Sequence, residues 1–321
     1  MQENQRQELH TQAAAGKPIS AELALAVLDT GSDRLTEIFA AAEAMRQKHF
    51  PRRMVLCAIV NGKCGNCSED CSFCAQSCRS TATIEMYPLR APDEFLAARR
   101  TAAGHGVSFF SIVTSGRALS DRELDRLCEM VHTADQEDPS WCCSLGCLSK
   151  EQLAKLKAVG FTRYHHNLET AESFFPEVCT THSYADRVRT IRDAKAAGLD
   201  VCAGGIFGIG ESKAQRVELA LALAEEQVNS IPLNFLVPIE GTPLAETEPM
   251  TPLDILLTIA MFRLTNPTSE VRIAGGREHL RDLQTLIPLA GGNGLMIGDL
   301  LTVRGGQIKQ DLQWLKDLGC L

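Results

Sequence analysis

The chain has 321 residues, enough for one large α/β barrel or two modest domains, and its 45% hydrophobic and 22% charged residues fit an ordinary globular protein. A chain this long buries a core without covalent staples, so its 13 cysteines need another explanation. With 32 Lys and Arg against 40 Asp and Glu, the formal charge is −8, which argues against a nucleic-acid-binding surface and suits small-molecule chemistry.

The N-terminal residues 1–12 are polar and lack a signal-peptide core, and the longest apolar runs, such as 219–224, are too short to span a membrane. The expectation is a cytoplasmic, reducing location, where clustered cysteines read as metal ligands or catalytic groups. Residues 1–48 read as amphipathic helices, with Ser20 placed to cap one and Ser32-Asp33 to open the next at 34–48. From Arg53 onward, short apolar or β-branched runs alternate with helical-period segments. Strands are expected near 54–60, 107–113, 141–145, 163–168, 200–207, 231–237, 270–274 and 294–298. Helices are expected at 93–104, 120–134, 149–159, 183–197, 212–227, 251–265, 277–287 and 307–318. Ser120 with Glu123, and Ser149 with Gln152, have capping-box spacing, while Gly160 and Gly198 suit helix ends. This alternation predicts a (β/α)8 TIM-type barrel over 49–321 with residues 1–48 as an N-terminal helical extension. The rival is an open doubly wound sheet with a separate helical cap.

The densest chemistry follows the first strand. Cys64, Cys67, Cys71, Cys74 and Cys78 fall within a short loop that a barrel would carry on its C-terminal, active-site face. A structural zinc knot is the bland alternative, but the two Cys-x-x-Cys pairs sit closer together than in common zinc ribbons. The spacing Cys67-x3-Cys71-x2-Cys74 resembles the signature of radical S-adenosylmethionine (radical SAM) enzymes. Four thiolates would close a 4Fe–4S cluster, whereas three leave one iron open to the amino and carboxylate groups of SAM. Cys64 reads as a bystander. Phe73 holds the aromatic position that the resemblance places against the adenine, with ordinary loop packing as its competitor.

Further blocks narrow the resemblance. Asn66-Cys-Ser-Glu-Asp-Cys-Ser-Phe-Cys-Ala-Gln-Ser77, Tyr164-His-His-Asn-Leu-Glu-Thr170, Val201-Cys-Ala-Gly-Gly-Ile-Phe-Gly-Ile-Gly-Glu211, Pro232-Leu-Asn-Phe-Leu-Val237 and Val271-Arg-Ile-Ala-Gly-Gly-Arg-Glu278 occur in the order found in the biotin synthase family. The resemblance spans roughly residues 50–320 and implies sulfur insertion into dethiobiotin. It implies SAM, a 4Fe–4S cluster on Cys67, Cys71 and Cys74, and an auxiliary iron–sulfur cluster (2Fe–2S or a larger variant) on Cys142, Cys202 and Arg272 as sulfur donor. It also implies flavodoxin or ferredoxin as electron donor and a homodimer. Glu169 would take a SAM ribose hydroxyl, and Gly204-Gly205 would let backbone approach the methionyl end. Asn167 and Asn234 would pair with the ureido ring of the substrate, with Arg272 beside the reacting sulfur. Arg79 and the 115–117 loop would meet anionic groups, unless they are solvated surface arginines.

Polar residues at inward strand positions support this reading, because barrel interiors are normally Val, Ile and Leu. Alone, each of Cys142, Asn167, Cys202, Asn234 and Arg272 has a bland explanation; together on successive strands they weaken it considerably. The chain departs from the family pattern at strand two, where Ser111 stands in place of the usual cysteine, and at His165, which replaces an Asn. Serine is a poor ligand for iron. Either Ser111 binds as an alkoxide, or the ligand set differs, with Cys78, Cys143 or Cys147 compensating. Strand alternation turns Cys143 away from the face of Cys142. Another barrel-type radical SAM enzyme, such as a cofactor maturase or a mutase, and a zinc-stabilised binding protein remain as alternatives.

Overall fold

The computed structural model describes residues 1–50, 52–135, 137, 139–298 and 307–321. Its strands are β1 (Val55–Lys63), β2 (Phe109–Thr114), β3 (Ser140–Ser144), β4 (Arg163–His165), β5 (Asp200–Cys202), β6 (Gly205–Phe207), β7 (Ser230–Phe235), β8 (Glu270–Ile273) and β9 (Gly294–Met296). All pairings between them are parallel, β9 pairs β1, and Cys202 on β5 pairs Ser230 on β7. The sheet therefore closes. β5 and β6 are two halves of one strand position, broken at Ala203-Gly204, so the ring has eight positions, as the alternating pattern predicts.

The helices wrap the ring because their starts are written into the chain. Ser120 Oγ accepts from Glu123 N while the Glu123 carboxylate accepts from Ser120 N (3.0 Å); Ser149 and Gln152 repeat the exchange. Gly160 ends its helix in the left-handed region (φ 113°). Outward strand residues meet the helices in a core where Phe110, Trp141 and Phe161 pack edge to face. The helix Pro252–Thr265 is buried from Ile255 to its end. Its outer side is covered by the N-terminal helices Ala21–Leu28 and Leu35–His49, which explains its all-round apolar sequence. Ser20 caps the first of these two, as its sequence suggests, and a single 3-10 turn at Ser32–Arg34 precedes the second.

Two expected elements differ. Segment 277–287 is a 3-10 run, Arg277–Leu286, interrupted at Arg281 (φ 52°, ψ −127°), so it has no continuous helical face. The strand expected at 163–168 stops at His165, and Asn167 lies beyond its end in the loop leading to Glu169.

Candidate active site

The cysteine loop at 64–79 leaves β1 at the C-terminal end of the barrel. Gly65 (φ 81°) and Asn66 (φ 50°) turn it back, and Gln76 Oε1 accepts from Gly65 N at 3.0 Å. Two acids tie the loop to the segment after β4. Asp70 accepts from Thr180 N (2.8 Å), Thr180 Oγ1 (2.5 Å) and Thr181 N (3.2 Å), and Glu69 accepts from Thr181 Oγ1 (2.8 Å). Burial raises the Asp70 carboxyl, but these donors outweigh it and hold the group well below the usual carboxylate range. Cys67, Cys71 and Cys74 are half-buried on this braced loop, and burial pushes the Cys74 thiol up to about 11. Phe73 packs with Val178, Ile209 and Leu236 and lines the barrel cavity.

A cluster missed by the sequence reading lies behind the loop. Glu69, Cys179 and His182 bring their ligating atoms within 4.8 Å of one another. Arg187 Nε donates to His182 Nε2 at 3.0 Å, so His182 Nδ1 carries the proton given to Glu69 at 2.5 Å. The Cys179 thiol bonds to Cys71 and is brought down to about 4, chiefly by that bond. The Cys179-Thr-Thr-His182 spacing was the available signal.

Below the mouth a cavity of about 310 Å³ runs into the barrel. Cys142, Cys202, Arg272, Asn167, Asn234, Glu169 and Phe73 all line it. Ser111 does too. Of the thiols expected to compensate for it, none lines this cavity. Cys78 is exposed, Cys143 faces the helix layer among apolar residues, and Cys147 lines a separate cavity beside His166. A thiol that the sequence reading passed over, Cys57 on β1, lines the cavity instead.

The cavity floor is positively biased. Arg163 and Arg272 both bond the single buried carboxylate of Glu270, whose other contact is Ser230 Oγ (3.2 Å). The two guanidiniums flank the Phe109 ring, with Arg163 at 3.9 Å from its centroid. Burial alone would raise the Cys202 thiol, but His165, Arg272 and Arg163 outweigh it and bring it down to about 7. Burial raises Cys57 and Cys142. Three buried polar atoms of this cavity have no hydrogen-bond partner: Ser111 Oγ, Arg163 Nε and Arg272 Nε. Such atoms are rare in folded interiors, and these three are free to bond an occupant of the cavity. Soft thiols, excess positive charge and unpaired donors fit an anionic iron–sulfide group.

The amides are more committed than expected. Asn167 Oδ1 accepts from Gly204 N (3.1 Å) and its Nδ2 donates to Glu169 (3.2 Å). Asn234 Nδ2 donates to Gly205 O (3.1 Å) and its Oδ1 accepts from Gly275 N (3.0 Å). Each thus joins neighbouring strand ends and keeps one hydrogen and one lone pair for a ligand. Packing also requires glycine at Gly204 and Gly205. A Cβ on Gly204 would meet Pro232 O at 2.0 Å, and one on Gly205 would meet Glu169 O at 2.4 Å, so neighbouring backbone presses on both. Glu169 itself is held at φ 70°, with its carbonyl accepting from Ile206 N at 2.7 Å.

Comparisons with known proteins agree with this geometry. Residues 63–223 match the Radical SAM superfamily, and residues 232–321 match the Biotin and Thiamin Synthesis associated domain. The biotin synthase of Maridesulfovibrio salexigens is 54% identical over 320 residues, covering 99% of this chain and 98% of that protein. The biotin synthase of Trichlorobacter lovleyi is 48% identical, covering 95% and 92%. Among solved structures, methylornithine synthase (PylB) superposes with a TM-score of 0.83 at 21% identity, over 97% of this chain and 96% of that one. The [FeFe]-hydrogenase maturase HydG gives 0.83 at 17% identity, over 100% and 76%; at these identities the two structures speak for the fold alone. No helix among the described residues is long and apolar enough to cross a membrane. By sequence, domain content and fold, the chain belongs to the biotin synthase family of radical SAM enzymes.

Proposed function

We propose that this chain converts dethiobiotin to biotin, with Cys67, Cys71 and Cys74 holding a 4Fe–4S cluster and thiols of the barrel interior holding an auxiliary iron–sulfur cluster. The observation that carries this reading is one cavity lined on one side by Phe73, Cys74, Ala75 and Gln76 of the three-cysteine loop and elsewhere by thiols beside two arginines. When bound, SAM and the two clusters supply one-electron bond cleavage, hydrogen-atom abstraction and sulfur. The protein's own part is placement. Glu69 and Asp70 fix the loop, and Phe73 offers an apolar face to the adenine. Glu169 accepts from a ribose hydroxyl, and Gly204-Gly205 offer backbone to the methionyl end. Asn167 and Asn234 present their remaining donor and acceptor sites to the ureido ring, and Arg272 stands beside the sulfur source. The cavity walls hold the reacting groups in contact and limit the access of solvent to them.

Several finer features belong to this reading. The auxiliary cluster is 2Fe–2S or a larger variant, and the electron donor is flavodoxin or ferredoxin. The protein is cytoplasmic and homodimeric, with 1–48 as a helical extension of the 49–321 barrel. Anaerobic turnover of the reconstituted chain with dethiobiotin, SAM and reduced flavodoxin tests the core claim. Biotin is the expected product; SAM cleavage without biotin would reject the substrate assignment. Zinc without iron or labile sulfide in anaerobically purified protein would reject radical chemistry altogether.

A further inference from the structure

The strand registers place Cys57 in a specific relation to the other interior thiols. Barrel interiors are built in layers of four side chains drawn from alternate strands, and the stagger advances about one residue per strand. Cys57 on β1 pairs with Phe109, which pairs with Ser140; two residues further on is Cys142. Cys142 pairs with Arg163, which pairs with Asp200; two residues further on is Cys202. Cys202 pairs with Ser230, which pairs with Glu270; two residues further on is Arg272. Arg272 pairs with Gly294, which pairs with Val55; two residues further on is Cys57 again. Cys57, Cys142, Cys202 and Arg272 therefore form one complete layer. The same walk puts Ser111 in the layer above, with His165, Pro232 and Met296.

We propose that Cys57 is a thiolate ligand of the auxiliary cluster, supplying from strand one the sulfur that Ser111 cannot supply from strand two. Four observations support it. Cys57, Cys142 and Cys202 all line the cavity and all stand outside the apolar core that holds Cys128, Cys143, Cys179 and Cys320. Neither Cys57 nor Cys142 has a committed partner: their thiols make only long contacts to main-chain oxygens of their own strands, at 3.8 and 3.9 Å. The Ser111 hydroxyl, though buried and facing the same space, is left unpartnered, as is Arg272 Nε. Gly294, in the layer below, leaves open the space into which Arg272 reaches; a Cβ there would meet the Glu270 carboxylate at 2.8 Å and Arg272 Cβ at 3.1 Å. A ring of three thiols and one guanidinium faces inward at one level, and each thiol gives up its proton when it takes iron.

This inference rests on the proposed function, and its test separates the two. The full chain is reconstituted anaerobically with iron and sulfide. Iron and labile sulfide per chain, the Mössbauer spectrum, and the electron paramagnetic resonance signal of the reduced, SAM-binding cluster are then measured for wild type and for the Cys57→Ala, Cys142→Ala and Ser111→Ala variants. Cys57→Ala is expected to lose as much iron and sulfide as Cys142→Ala while keeping the SAM-cluster signal, and Ser111→Ala to lose none. A Cys57→Ala protein with wild-type content, when Cys142→Ala is depleted, overturns the role of Cys57 and leaves the proposed function standing. Full content in Cys142→Ala as well would reject the barrel-floor cluster itself. Should Cys57→Ala fail to fold, Cys57→Ser keeps the volume; an altered auxiliary-cluster Mössbauer spectrum supports ligation, and an unchanged one overturns it.

Discussion

Asp70→Ala tests how the three-cysteine loop is held. Asp70 is nearly fully buried and takes four hydrogen bonds from Thr180 and Thr181, one of them from the Thr181 hydroxyl that it shares with Glu69, plus one ion pair with the exposed Arg79 at 2.7 Å. The exposed ion pair contributes little. Hydrogen bonds to a charged acceptor are each worth roughly 1.5–3 kcal/mol, but Thr180 and Thr181 lie at the surface, and their freed groups recover water. The net cost is therefore about 3 kcal/mol for the fastening between loop 64–79 and residues 179–182. At about 1.4 kcal/mol per decade, loop opening becomes on the order of 100-fold more frequent. The assay is anaerobic release of iron from the reconstituted chain to a ferrous chelator at neutral pH, where opening limits access. A change below about threefold would refute the claim that Asp70 braces the site. The pH dependence has a definite sign. Because the folded carboxyl titrates below its unfolded value, its contribution is complete above the unfolded value of about 4 and is lost as pH falls. The melting temperatures of metal-free wild type and Asp70→Asn should converge on acidification below that point.

Two other substitutions probe the frame. Gly205→Ala forces a Cβ against Glu169 O at 2.4 Å and Leu219 Cδ2 at 2.7 Å, so Glu169 must move; equilibrium dialysis should show SAM affinity falling by about tenfold or more, with fold retained by circular dichroism. Arg263→Leu removes a fully buried guanidinium that bonds five oxygens, those of Gly291, Asn266, Pro267, Ser269 and the Asn293 side chain. Thermal unfolding should report a loss of about 3–5 kcal/mol, since those acceptors stay buried; a loss under about 1 kcal/mol would mean that water replaces the side chain.

The parts of this molecule legible in the sequence are those encoded locally. Cys67, Cys71 and Cys74 announce themselves by spacing, and Ser120–Glu123 and Ser149–Gln152 mark helix starts with residues three apart. The barrel itself follows from alternation. Cys57 was illegible because one cysteine in an apolar strand looks like any small core residue. Only the registers around the closed ring set it level with Cys142, Cys202 and Arg272. The same limit explains why alternation sets Cys143 aside but leaves Cys78 and Cys147 as candidates: closeness in sequence to the barrel mouth says nothing about which cavity a side chain enters. Asn167 and Asn234 read as inward polar strand residues; Asn234 lies on β7, Asn167 lies beyond the end of β4, and their bonds to Gly204, Gly205 and Gly275 depend on which strand ends touch.

The interior layers also change how the fold's stability is distributed. An ordinary barrel of this kind gains much of its stability from branched aliphatics filling its centre. Here one layer is three thiols and an arginine, and the layer below brings in Arg163, so two buried cations share the carboxylate of Glu270. Such a centre costs free energy, because two desolvated guanidiniums share one buried carboxylate and Arg163 has as its other acid, among the described residues, only the exposed Asp200 at 3.9 Å. The compensation lies outside the ring: in the Phe110, Trp141 and Phe161 stack, in the helix 252–265 buried beneath the N-terminal helices, and in Met54 N donating to Cys320 O at 2.7 Å, which ties the chain's end to the start of β1. The helices 21–28 and 35–49 complete the burial of the helix 252–265, and that apolar burial offsets a centre built from thiols and charge rather than from branched aliphatics.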